Sequence, residues 1–335
     1  MDPIILADLA ESYGITVRHA EPVSGGWLNR KWKVGDGTRS FLVKQFSHVR
    51  FSRDRLVEIE HALQRQQVLE GCGVPCPHIV PCRGEVVRRP DAETTYMVMT
   101  FCPGKMEQPG TITSGQIRSL RLACGAMHAA FAKLPVQGVK GHPLGGATLT
   151  AALQAYHRRQ VDALSADALP ADAPVMNAGK ADESPKFRQA VEAQEAILRN
   201  LSPAWLDRLP MGIAHEDFSA DNMLFHDNAV SAILDFDRNQ YSWLWHDVGR
   251  ALLSLAWDGA RLDAGMVSAF CAGYAESLSL TRQDVVAALR ITWCLESPWW
   301  IVPERFTGEG SAKITRFRDE LLWLTHRWFE LDAVV

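Results

Sequence analysis

The chain has 335 residues, a formal net charge of -4 and 47% hydrophobic residues. That length can bury a large core and predicts two lobes, and a near-balanced charge without long runs of one sign leaves no footprint for nucleic acid or a membrane surface. No apolar run reaches the length of a membrane span, and the first fourteen residues lack the basic start of a signal peptide, so a cytoplasmic protein is expected.

Residues 1–14 read as a short helix. Strands are predicted over 15–23 and 27–34, joined by Ser24, Gly25 and Gly26, with a turn at Gly35-Asp36-Gly37. A third strand over 40–46 carries Lys44 inside the apolar run FLVKQF. Alone, such a lysine reads as an edge or outward-facing position. Residues 54–70 have helical apolar spacing in Leu56, Ile59 and Leu63, and the helix should stop at Gly71, just before Pro75. Cys72, Cys76, His78 and Cys82 cluster next, but three prolines punctuate them and the spacing is not that of a zinc site. Seven scattered cysteines without an export signal predict free thiols, packed here as small side chains at a helix end. Two more strands, 79–87 and 94–101, complete a five-stranded lobe with one helix, ending near Cys102-Pro103-Gly104. The expected division is therefore 1–102 and 103–335.

Beyond it the pattern is mostly helical, with helices over 112–131, 147–163, 185–201, 243–257, 264–278, 283–294 and 312–329. His128 reads as a satisfied core histidine, and 165–183, rich in Ala, Pro and Asp, reads as a solvated connector. One stretch stands apart: HEDFSADNMLFHDNAVSAILDFD, from His215 to Asp237. Two apolar segments flank His226-Asp227-Asn228, the signature of a β-hairpin. A hairpin would bring Asp217, Asn222 and Asp235 within a few ångströms, a hard oxygen set suited to Mg2+ and attached phosphates.

The pieces form a set. Glycines in the Ser24–Gly26 turn let backbone N–H groups approach a phosphate. Lys44 could reach the α- and β-phosphates, and Glu60 on the following helix could hold Lys44 in place. In order, these are the parts of a protein-kinase-like phosphotransferase.

The chain resembles the aminoglycoside phosphotransferase/choline kinase superfamily, which includes the type II homoserine kinases. HEDFSADNMLF followed by AILDFD is similar to the family's His-Gly-Asp…Asn and Asp-Phe-Asp blocks; SGGWLN resembles its nucleotide loop, LEGCGVPCP its helix end and Pro-x-Pro entry, and Asp247–Leu252 its Asp-Leu-Ala helix start. The resemblance spans roughly residues 15–260. It implies an α+β, two-lobed kinase fold and an ATP- and Mg2+-dependent transfer to a small-molecule hydroxyl. Asp217 would accept or orient the hydroxyl proton, and Asn222 and Asp235 would hold Mg2+. Lys44, positioned by Glu60, would bind phosphates covered by Ser24, Gly25, Gly26 and Asn29. Met99, Thr100 and Phe101 would lie beside the adenine, and His215 would brace the loop. For Asp237 a second metal contact and a loop cap both stay open.

Departures are visible too. Glu216 stands where the family usually has Gly, Ser219 where protein kinases carry Lys, and no long activation segment fits between Asp237 and the helix at Trp243. A bacterial stress-response protein kinase and a silent nucleotide-binding module are the alternatives; the second is disfavoured because Lys44, Glu60, Asp217, Asn222 and Asp235 are all present. Trp293, Trp299 and Trp300 near Glu296 could wall a cationic acceptor, with Asp258 and Glu304 adding acidity, although aromatic core packing explains the tryptophans as well.

Overall fold

The computed structural model describes residues 1–23, 29–108, 110–141, 145–166, 183–272, 280–306 and 311–334. Ser24, Gly25 and Gly26 lie outside these residues, as does most of the 165–183 connector.

The N-terminal part is built on a four-stranded antiparallel sheet, β1 (His19–Pro22), β2 (Arg30–Gly35), β3 (Ser40–Phe46) and β4 (Thr95–Thr100), in that spatial order. Alternation sorts its faces. Trp32, Val34, Phe41, Val43, Tyr96 and Val98 point to one side, where they pack with Ile5 and Leu9 of α1 (Pro3–Tyr13). Phe46, Met97 and Met99 point to the other, against Leu56, Ile59 and Leu63 of α2 (Arg53–Gly71). Lys31 and Lys44 stand directly opposite each other on β2 and β3, on this second side.

The expected fifth strand over 79–87 forms only isolated bridges, Ile79 to Met99, Cys82 to Glu85 and Arg88 to Tyr96. Pro77 and Pro81 have no N–H for a ladder, and the backbone reverses at Arg83 (φ 51°) and Gly84 (φ 85°). The apolar content of the segment is right, but its hydrogen-bonding capacity is broken.

After β4 come α3 (Ser114–Phe131), α4 (Gly146–Ala166), α5 (Ser184–Asn200) and the single turn α6 (Pro203–Leu206). Then β5 (Met211–Ala214), β6 (Met223–His226), β7 (Ala229–Ile233) and β8 (Gln240–Trp243) form two small sheets, β5 with β8 and β6 with β7. The chain continues through α7 (Leu244–Ala256), α8 (Ala264–Cys271), α9 (Arg282–Trp300), α10 (Ala312–Arg327) and α11 (Leu331–Val334). The predicted 223–234 hairpin is present, its turn made by Asp227 at φ 52°. Helix α9 runs past its expected end at 294, through Pro298 to Trp300.

One large apolar cluster unites α3, α5, α7, α9 and α10 with the small sheets. Within it α7 and α9 touch almost backbone to backbone at Gly249, where a Cβ would overlap the Ala288 carbonyl and the Thr292 hydroxyl. Among the described residues no helix is long and apolar enough to cross a membrane, and all seven cysteines are free. Cys82, Cys124 and Cys294 are buried, whereas Cys72 at the end of α2 is exposed rather than packed.

Candidate active site

The loop after β5 is fixed from below by one carboxylate. Asp247, fully buried in the first turn of α7, accepts the backbone N–H of His215 at 2.7 Å and of Glu216 at 2.9 Å, and pairs with His128 Nε2 at 2.9 Å. His128 is thus a satisfied interior histidine, as its place in the apolar helix suggests. The His215 ring accepts the Asp217 N–H at Nδ1 (3.2 Å), which leaves Nε2 to donate to the Leu234 carbonyl at 2.9 Å. With Phe236 and Phe218 packed edge-on against it, His215 ties the loop to the end of β7 and has no nitrogen left for chemistry.

Asn222 closes the same loop, its Nδ2 donating to the Asp217 carbonyl at 2.9 Å. That contact commits the amide nitrogen and leaves Oδ1 as the atom suited to a cation. Across the open end of the hairpin, Leu234 N–H donates to the Asn222 carbonyl at 2.8 Å, so Asn222 stands opposite the residue that precedes Asp235. Asp235 itself is left-handed (φ 63°, ψ 53°) at the start of a short 3-10 turn, Phe236–Arg238. Such a backbone is strained for a non-glycine residue and re-aims the side chain away from the strand direction.

The side chain meets Lys44. Lys44 Nζ lies 2.6 Å from Asp235 Oδ1 and forms a second ion pair with Asp237 Oδ2. Lys31 approaches the other Asp235 oxygen at 3.6 Å. Burial would lower the Lys44 pKa, but the two carboxylates override it and push it up. Burial likewise opposes ionisation of Asp235, and Lys44 with Lys31 overcomes it and holds this carboxyl below its usual range; Asp237, buried and facing Asp235, is pushed up.

Glu60 does not hold Lys44. Its carboxylate pairs with Arg89 at 2.7 Å, so the expected lysine–glutamate pair is replaced by pairs to Asp235 and Asp237. Helix α2 serves the site in another way. Arg65 donates to the Asn239 side chain (2.6 Å) and carbonyl (2.9 Å), Arg55 reaches the Asp237 carbonyl at 3.3 Å, and Asn239 Nδ2 returns to Ala62 O at 2.9 Å. The 235–239 turn is therefore clamped to α2 by arginines. Nothing in their spacing marked Arg55, Arg65 or Asn239, because their partners lie about 180 positions away.

Glu216 occupies a left-handed backbone (φ 68°), the conformation that explains a glycine at this place in the resembled family. Its carboxylate is buried and held by His246 Nδ1 (3.2 Å) and Gln240 Nε2 (2.9 Å). From there buried charges run outward: His246 to Glu296 (3.0 Å), Glu296 to Arg250 (2.8 Å), Arg250 to Glu320. Burial would lower the His246 pKa, but Glu216 and Glu296 together push it up to about 10. Glu296, despite burial, is pulled down to about 2 by Arg250 and His246. The signal for this chain was present in ALLSLAW preceded by Asp247 and Arg250, since charges in an otherwise apolar helix need partners. Both Glu296 oxygens are thus engaged, one by His246 and the other by Arg250 and Trp300 Nε1. An open carboxylate at Glu296 for a cationic acceptor is not what the fold provides. Trp293 is core, bonded to Thr325 and tilted against Trp328, while Trp299 is exposed.

On the nucleotide side, Met99 and Thr100 end β4 and Phe101 follows. The Thr100 N–H donates to His78 O (2.8 Å) and the Phe101 N–H to Ser40 O (3.0 Å), so these two amides already have protein acceptors. Asn29 is positioned at the start of β2, its Oδ1 buried and without a partner among the described residues. Among the described residues no three His, Cys, Asp or Glu side chains gather as a self-sufficient metal cage. The oxygen set of Asn222 and Asp235 fits Mg2+, which is commonly held by one or two carboxylates together with substrate phosphates.

The model of the phosphotransferase enzyme family matches residues 19–280. Among curated relatives, the homoserine kinase of Gluconacetobacter diazotrophicus is 29% identical over 224 residues, which cover 64% of this chain and 61% of that protein, less than two thirds of its length. Among solved structures, spectinomycin phosphotransferase in complex with ADP and spectinomycin superposes with a TM-score of 0.62 at 12% identity, covering 96% of this chain and 98% of that one. A microcompartment-associated aminopropanol kinase gives 0.60 at 15% identity, covering 100% and 99%.

Proposed function

Since the chain belongs to the phosphotransferase enzyme family, we propose that it is a small-molecule kinase, moving the γ-phosphoryl group of ATP, with Mg2+, to a hydroxyl of an amine-bearing acceptor of the homoserine or amino-alcohol class. One observation carries the reading. Lys44, from the N-terminal sheet, meets Asp235 and Asp237 at the open end of a hairpin whose other strand begins beside Asn222, with Asp217 in the adjoining loop. A homoserine kinase relative and an aminopropanol kinase of like fold support the acceptor class.

In this reading Asn222 and Asp235 would hold Mg2+, which supplies charge neutralisation across the phosphates when bound. Lys44 would leave its aspartates for the nucleotide phosphates. Asp217 takes the hydroxyl proton as the acceptor oxygen attacks the γ-phosphorus, and the bond to the β–γ bridging oxygen breaks to release ADP. The catalysis is positioning and electrostatic stabilisation, without a covalent enzyme intermediate.

The test is ADP release above the water-only background with homoserine, amino alcohols, amino sugars and a serine peptide as acceptors. Turnover with a small acceptor is expected. Asp217→Ala should lower kcat by about 10²–10⁴-fold, the range for general acid–base groups. A kcat in Asp217→Ala equal to wild type, or turnover that requires the peptide, overturns the reading.

A further inference from the structure

One cation at the site has no part in the scheme above. Lys31 stands directly across from Lys44 in the β2–β3 register, on the sheet face that looks toward Asp235. Directly opposed like charges on neighbouring strands are unfavourable, their Cβ atoms being about 5 Å apart. The pair persists because Asp235 lies between the two ammonium groups, Lys44 on one oxygen at 2.6 Å and Lys31 on the other at 3.6 Å. The two differ in access. Lys44 is 2% exposed and pinned by two carboxylates, whereas Lys31 is 17% exposed and, among the described residues, pairs with Asp235 at 3.6 Å.

If Asp235 takes Mg2+, a divalent cation arrives at the carboxylate that screens both lysines from each other. The cluster then needs new negative charge at the same place. Fully ionised ATP carries about four negative charges, Mg2+ removes two, and two ammonium groups match the remainder. We propose that Lys31 is a second phosphate-binding lysine, paired with Asp235 as seen here and turning to the nucleotide's phosphates when a metal takes that carboxylate. The inference rests on the kinase reading above.

The experiment compares the intact protein with Lys31→Met and Lys31→Arg, measuring adenosine, ADP and ATP binding by calorimetry with and without Mg2+. Lys31→Met should weaken ATP and ADP by about tenfold, the loss of one charge-assisted hydrogen bond, and leave adenosine unchanged. Lys31→Arg should recover most of the loss, and the KM for ATP should rise in Lys31→Met while the KM for the acceptor stays. Equal weakening of adenosine, or ATP binding as tight as wild type, overturns the role of Lys31. A wild-type chain that binds none of the three overturns the kinase reading and the inference together.

Discussion

At the scale of single residues, the ion pairs decide what each carboxylate is for. Lys44 is held by Asp235 and Asp237, and Glu60 by Arg89. Glu60→Ala should therefore keep kcat and the KM for ATP within about threefold of wild type, as surface pairs contribute about 0–1 kcal/mol; a collapse of activity would restore Glu60 as the partner of Lys44 in the working state. Lys44 alone reads as an edge position, and it joined Asp217, Asn222 and Asp235 as a candidate only through the order of the motifs and the family resemblance they carry. Partner choice was not legible, because a helix glutamate near in sequence looks like a better candidate than aspartates 191 and 193 positions away. His246 offers a second check. An imidazole titrates near 6.5 in the unfolded chain and at about 10 between Glu216 and Glu296 in the folded one. Its stabilisation is complete below the first value and is lost as pH rises through the second. Urea midpoints of the wild type should fall between pH 7 and pH 10, and His246→Asn should lose that part of the slope; an unchanged alkaline slope in the variant would assign the effect to other groups.

At the scale of elements, helices and the hairpin followed from periodicity, but close approach and hydrogen-bonding capacity did not. The segment over 79–87 has strand-like apolar content, yet Pro77, Pro81 and the positive φ at Arg83 leave it only bridges. Gly249 gave no sequence cue beyond its place in Asp-Val-Gly-Arg, although it sets the distance between α7 and α9. Gly249→Ala is expected to destabilise the fold by about 1–3 kcal/mol through overpacking, read as a lower urea midpoint, and to disturb the Asp247 carboxylate two residues before it in α7. Stability equal to wild type would show that the two helices separate without cost. The arginine clamp on the 235–239 turn makes a different forecast. Arg65→Ala leaves Asn239 without its donors, at a cost of about 1–3 kcal/mol. The loss should appear mostly in metal-dependent turnover, since Arg65 touches the turn that presents Asp235 and Asp237 rather than the loop of Asp217.

At the scale of the whole molecule, contacts between distant parts of the chain carry the site. Lys44, Arg55 and Arg65 all reach the 235–239 turn, and Lys140 reaches back to Glu58 at 2.7 Å. A ligand that binds only the assembled molecule stabilises all of it, by about 2.7 kcal/mol at one hundred times its Kd. ATP with Mg2+ should accordingly raise Tm by several degrees, and Asp235→Asn should abolish the Mg2+-dependent part; a Tm indifferent to both would argue that the turn does not receive the pair. The same long connection bears on how the protein is made. When the N-terminal sheet leaves the ribosome, the buried position of Lys44 has no counter-charge, because both aspartates have yet to be translated. At about 5–20 residues per second the intervening 191 positions take about 10–40 s. For that interval a nascent sheet must keep Lys44 in water or leave its final packing unfinished. The two ion pairs of Lys44 would therefore tie the final packing of the N-terminal sheet to the synthesis of the 235–239 turn.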